Sequence, residues 1–170
     1  MERVIPLSRR KGDIVILAFF WLNILLITYI VDVEQIVLPD ISGDWEYPLW
    51  PPAFWVDIIH NYGHNYDPVL IARPVWWRMT IWIDSLFFGP FYVFGIYAFT
   101  KGKNWIRIPS IIWASVLITN VTIILGEEFM GPHATPHPWM VLALNLPWVL
   151  VPAYTIKRMW SAEKPFTENA

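Results

Sequence analysis

Uncharged apolar runs recur along the chain and set its architecture. Ile14 to Val31, Ile108 to Gly126 and Pro138 to Ile156 contain no Asp, Glu, Lys or Arg, and each approaches the roughly 20 residues that cross hydrocarbon as a helix. Met79 to Thr100 forms a fourth run, broken by one charge at Asp84, which a bilayer tolerates only where it faces protein or water. The pattern predicts four transmembrane helices over 14–31, 79–100, 108–126 and 138–156. Arg9, Arg10 and Lys11 precede the first run as they would in a signal peptide. Its apolar stretch is too long for one and no small-residue cleavage site follows, so it is expected to remain.

The basic residues give an orientation. Arg3, Arg9, Arg10 and Lys11 precede the first span, Lys101, Lys103 and Arg107 lie between the second and third, and Lys157, Arg158 and Lys164 follow the fourth. Four spans put these segments on one face, which the positive-inside rule assigns to the cytoplasm together with both termini. The opposite face then carries Asp32 to Arg78, an acidic stretch with Trp45, Tyr47, Trp50, Phe54 and Trp55 among Pro48, Pro51 and Pro52. Such a segment reads as an interfacial cap or a loose loop. Residues 1–160 are expected to form one membrane domain and residues 161–170 a flexible tail.

Composition narrows the function. The chain is 56% hydrophobic and only 15% charged, against about a quarter charged in soluble domains, which excludes a soluble α/β enzyme. A net charge of −2 offers no field for nucleic acid. The absence of cysteine excludes disulfides, thiolate metal sites and a thiol nucleophile. The four histidines form two H-x-x-x-H pairs, His60 with His64 and His133 with His137, the second near Glu127 and Glu128. Gly63 and Pro132, Pro136 and Pro138 interrupt these pairs, so the sequence reading assigns no metal.

Polar residues within the spans converge in depth. Thr28 and Asp32 close the first helix, Asp84 lies early in the second, Thr119, Asn120 and Thr122 late in the third, and Asn145 early in the fourth, all in one half of the bilayer at a rise of about 1.5 Å per residue. Asn145 and Trp148 share a face at i, i+3. Pro90, Pro109, Pro147 and Pro152 would free backbone carbonyls where a cavity could use them. A pocket with a polar floor and aromatic walls is implied. Plainer roles stand beside this: Asp32 at headgroup level, Asp84 paired with Arg78, and Asn145 as interhelical glue.

A carboxyl group among Trp, Phe and Ile resists ionisation and can act as an acid toward an alkene or epoxide, while aromatic faces stabilise the carbocation and a second carboxylate removes a proton. The same carboxylate would equally pair with an amphiphilic amine that mimics the cation, so a binding-only protein shares the pattern.

Several segments resemble the EXPERA domain family, which comprises the sterol isomerase called emopamil-binding protein and the sigma-two receptor. YIVDVEQIVLP at Tyr29–Pro39, YDPVLIARPVWW at Tyr66–Trp77 and YAFTKGKNWIRIPSII at Tyr97–Ile112 are similar to the receptor pattern, and NLPWVLVP at Asn145–Pro152 is similar to the isomerase. The resemblance implies an all-α, multi-pass membrane fold, a four-helix bundle with an internal lipid-facing pocket, dimerisation, and an endoplasmic reticulum membrane. It implies that Asp32 and Asp84 hold the positions of the isomerase's two pocket glutamates, that Asp67 holds the receptor's loop aspartate, and that Asn145 and Trp148 match the isomerase. Thr28 departs from it, standing where the isomerase has histidine, and Ser85 and Phe87 depart from the run after its second acid.

The expectation is an isomerase or cyclase of a sterol or terpenoid that works without a cofactor. Asp32 and Asp84 form its acid-base pair, and Thr28, Asp67, Asn120, Asn145 and Trp148 contact substrate. The alternative is a non-catalytic receptor for a sterol or amphiphilic amine, or a trafficking partner of another membrane protein.

Overall fold

The structure, a computed structural model, describes residues 2–169. Four long helices form the bundle: α1 (Lys11–Val37), α4 (Val75–Lys101), α5 (Asn104–Met130) and α6 (Pro138–Trp160). Two shorter helices, α2 (Ala53–Tyr66) and α3 (Pro68–Ala72), lie between α1 and α4 and form a cap. α1 outruns its apolar stretch at both ends because the charged residues there are paired inside the protein. Asp13, near the start of α1, is 1% exposed and accepts from Arg10 at 2.6 Å and Arg158 at 3.1 Å. Glu34, beyond the first apolar run, is fully buried against Arg73.

Aromatic packing holds α1, α4 and α5 together. The Phe20 ring lies 5.2 Å from Trp113 and 5.5 Å from Phe99, and Phe91 stacks on Trp113 at 5.0 Å. Phe20, Phe99 and Trp113 are wholly buried, and such pairs contribute about 0.5–1.5 kcal/mol each beyond the area they bury. Gly95 lets α1 and α4 approach, since a Cβ there would stand 2.7 Å from the Phe20 ring. α5 and α6 pack along one another. Leu25, Leu86, Trp139 and Leu150 project outward, as side chains facing acyl chains do.

Two stretches widen from α- to π-helical winding, Asn23–Asp32 in α1 and Asp84–Phe88 in α4. Pro90 accounts for the second, because a proline ring clashes with the carbonyl four residues before it and a wider turn relieves the clash.

The tail differs from expectation. Thr167–Asn169 (β2) pairs antiparallel with Glu2–Val4 (β1), with Glu2 opposite Asn169. Phe166 is fully buried beneath the Arg10 and Arg158 guanidinium groups, 4.9 and 5.6 Å from its ring centre. Cation-π contact and burial of one aromatic thus order a segment whose composition reads as loose. Ala170 lies outside the described residues. Part of the segment before α4 is likewise ordered, since α2 runs through Gly63 without a break, while residues 38–52 form neither helix nor strand. A Cβ on Gly63 would meet Ile71 at 2.6 Å, so this glycine serves close packing of α3 rather than ending the helix.

Candidate functional site

The two π-helical stretches meet beside a cavity of about 220 Å³ enclosed by all four long helices and capped by α2. Asp32 comes from the end of the α1 stretch and Asp84 from the start of the α4 stretch. Both carboxyl groups line the cavity as neighbours. Thr28, one turn before Asp32, donates from Oγ1 to Asp84 Oδ1 at 2.6 Å. Asp32 is 5% exposed and its Oδ2 has no donor among the described residues. Asp32 therefore sits inside the protein rather than at headgroup level, and Asp84 is engaged by Thr28 and Asp32 rather than by Arg78.

The cavity wall contains Asn120, Asn145 and Trp148 together with Ile124, Leu117 and Trp77. Trp148 is held in place by its indole N–H, which donates to Asn23 Oδ1 at 2.9 Å, while Asn23 donates to the Phe19 carbonyl at 2.8 Å. Asn145 donates to the Val141 carbonyl at 2.9 Å, leaving its carbonyl oxygen as the available acceptor on that wall. Trp77 is fixed in the same way, donating to Gln35 Oε1 at 2.5 Å. Leu144, 50% exposed, and Ile27 mark the mouth between α6 and α1, where the cavity opens toward lipid.

Two expected substrate contacts fall elsewhere. Thr28 is fully buried behind Asp84 and acts through it. Asp67 lies in the cap, accepts from the Leu70 N–H at 3.4 Å as the N-cap of α3, and contacts Glu128 of α5. Burial pushes the Asp67 carboxyl above its usual range, and the neighbouring Glu128 and the Leu70 N–H oppose this in part. Tyr62, which lines the cavity from α2, is pushed up to about 12 by burial and by the nearby Asp67 and Glu128 acids. It stays a hydroxyl donor at any ordinary pH.

A latch that sequence reading missed fastens the cap. Glu34 Oε2 lies 2.9 Å from Arg73 Nη2 and Glu34 Oε1 lies 2.8 Å from His60 Nε2. Arg73 also donates to the carbonyls of Leu70 and Leu38. Arg73 adopts a left-handed backbone at φ 45°, a strained conformation for a non-glycine residue that this set of bonds holds in place. His60 and His133 are each bound to a glutamate, Glu34 and Glu127. Among the described residues no group of three His, Asp or Glu side chains could hold a metal ion.

An apolar cavity with a carboxyl pair on its wall, set in a membrane bundle, has the shape and lining that suit a hydrophobic small molecule with a polar end. The chain belongs to the EXPERA family, the expanded EBP superfamily, whose family model matches residues 54–159. It is similar to sigma intracellular receptor 2 of Xenopus tropicalis, at 24% identity over 152 residues, covering 83% of this chain and 84% of the relative. It is similar also to sigma intracellular receptor 2 of Macaca fascicularis and of Homo sapiens, each at 27% identity over 87% and 86% of this chain, respectively, and 86% of each relative.

Proposed function

We propose that the protein is a membrane receptor for a sterol or a cationic amphiphile, whose polar end meets Asp84 and Asp32 while its apolar body lies between Trp77 and Trp148. The adjacency of the two carboxyl groups on one cavity wall carries this reading. With one proton between them the pair bears one negative charge, which matches one ammonium group or one hydroxyl donor. A cavity of about 220 Å³ falls below the 300–1,000 Å³ of common ligand pockets. It therefore takes the polar end and first rings of such a ligand and leaves the remainder at the mouth beside Leu144. The receptor name carried by the similar proteins supports this reading over a catalytic one.

Binding of a tertiary-amine amphiphile to the purified protein, measured from pH 4 to 8, tests it. Affinity should fall as acid protonates the pair, and replacing both acids, Asp32→Asn with Asp84→Asn, should weaken binding and remove most of the pH dependence. Unchanged affinity in that double variant would overturn the proposal.

A second reading is favoured by Asn145 and Trp148, which stand on the cavity wall with the indole held by Asn23. In an isomerase or cyclase, the protonated carboxyl would donate to an alkene carbon or epoxide oxygen, and the ionised one would remove a proton from the carbocation, giving a product of unchanged mass. Trp148 would stabilise the cation. Incubation with Δ8-sterols and terpenoid epoxides decides between them. An isobaric product, lost in Asp32→Asn, supports the enzyme, and a ligand recovered unchanged supports the receptor. The distribution of Lys and Arg supports cytoplasmic termini, and the family reading supports an endoplasmic reticulum membrane if the source is eukaryotic.

A further inference from the structure

Two arginines lie on the face opposite the termini, and only one is satisfied. Arg73 has its guanidinium occupied by Glu34 and by the Leu38 and Leu70 carbonyls. Arg78, in the first turn of α4, buries its Nε without an acceptor among the described residues.

Two depressions meet at Arg78 and share Pro39. One is a cleft of about 440 Å³ whose wall includes Asp40 and Ser42. The other is a groove of about 250 Å³ between the end of α1 and the start of α4, lined by Gln35, Ile36, Met79, Ile81 and Trp82. Asp40 is fixed by Ser42, whose N–H and hydroxyl donate to its Oδ1 at 2.9 and 2.7 Å. No ion pair joins Asp40 to Arg78 among the described residues, although each lines the same cleft. Opposite charges therefore line one cleft without an ion pair, close enough to attract one another.

The complementary ligand carries both signs close together. Arg78 directly precedes the apolar run of α4, a position expected near the headgroups, and the groove beside it includes Met79 and Trp82, which are 50% and 42% exposed. We propose that this cleft binds the headgroup of a zwitterionic phospholipid, phosphate on Arg78 and ammonium on Asp40, with one acyl chain in the groove between α1 and α4. Arginine suits phosphate because its planar fork matches two oxygens. Free phosphoethanolamine shares the headgroup chemistry, and the groove is what distinguishes the lipid. The groove adjoins the Asp32–Asp84 cavity, with which it shares Gln35 and Ile81, while the two charges of the cleft, Arg78 and Asp40, lie outside that cavity's wall.

Native mass spectrometry of the intact protein tests this with phosphatidylethanolamine, phosphatidylglycerol of the same chains, and O-phosphoethanolamine. The expected result is retention of one phosphatidylethanolamine about tenfold better than phosphatidylglycerol, a loss of about tenfold in Arg78→Gln, and equal retention of the two lipids in Asp40→Asn. Met79→Trp, which fills the groove and leaves both charges, should also release the lipid. Equal retention of the two lipids by the unmodified protein would overturn the proposal, as would full retention in Arg78→Gln. Competition by O-phosphoethanolamine as strong as by the lipid would assign the cleft to a soluble anion instead. If Arg78→Gln does not fold, Asp40→Asn and Met79→Trp decide the matter, with thermal unfolding as the control for fold.

Discussion

Thr28 Oγ1 donates to Asp84 Oδ1 at 2.6 Å, joining two helices whose winding widens at these residues. This bond aims the Asp84 carboxyl at Asp32 and the cavity. Thr28→Val keeps the shape and removes the donor, and a hydrogen bond to a charged group contributes about 1.5–3 kcal/mol. Affinity for a tertiary-amine amphiphile should fall about tenfold or more, with Thr28→Ser close to the unmodified protein. Equilibrium binding in detergent checks this.

Glu34→Gln should be severe for stability and mild for the chemistry of the cavity. It leaves Arg73 buried beneath the cap without a counter-charge, and breaking a buried pair from one side costs about 3–5 kcal/mol. Thermal unfolding in micelles should show the loss, and proteolysis should cut first near α2 and α3.

The four spans and the intramembrane position of Asp84 were legible because hydropathy over some 20 residues, and a charge within it, are strong local signals, whereas Asp32 lies just past its apolar run and was singled out by depth and by the family resemblance. The Glu34–Arg73 latch was not, since it joins residues 39 apart and each reads alone as an ordinary loop charge. Asp67 misled for the opposite reason: its match to a receptor position gave a role in binding, while its geometry gives a helix cap. The π-helical winding also leaves no trace in hydropathy. It rotates the residues that follow, so which of Thr28 and Asp32 faces the cavity could not be read from a 3.6-residue period. Phe166, one aromatic in a polar tail, gave no periodic signal at all.

Asp67 should make stability depend on pH. Its folded-state carboxyl titrates above its unfolded value because of burial, so the folded protein holds more protons in that interval. Stability contributed by the protonated group is then greatest below the unfolded value, about pH 4, and is lost as pH rises through the folded one. Asp67→Asn keeps an acceptor for the Leu70 N–H and should flatten this decline. Unfolding midpoints measured upward from pH 4 for both proteins check the sign.

Phe166→Ala should free the tail. The ring is fully buried under Arg10 and Arg158, and such truncations cost about 3–5 kcal/mol in a well-packed core. Exposure of the last ten residues to a protease, with the bundle intact, would read this out directly.

The β1–β2 ribbon sets Glu2 opposite Asn169, so the two ends of the described chain are already clasped on one side of the membrane. The polypeptide is in effect a ring, and its starting point is interchangeable. Splicing the ends by a short linker and opening the chain at Gly43, which has open space around its Cβ position, would give a circular permutant that begins with α2 and finishes with α1. The same bundle would then have both ends emerging on the opposite side of the bilayer, inverting the apparent topology without turning a single helix over.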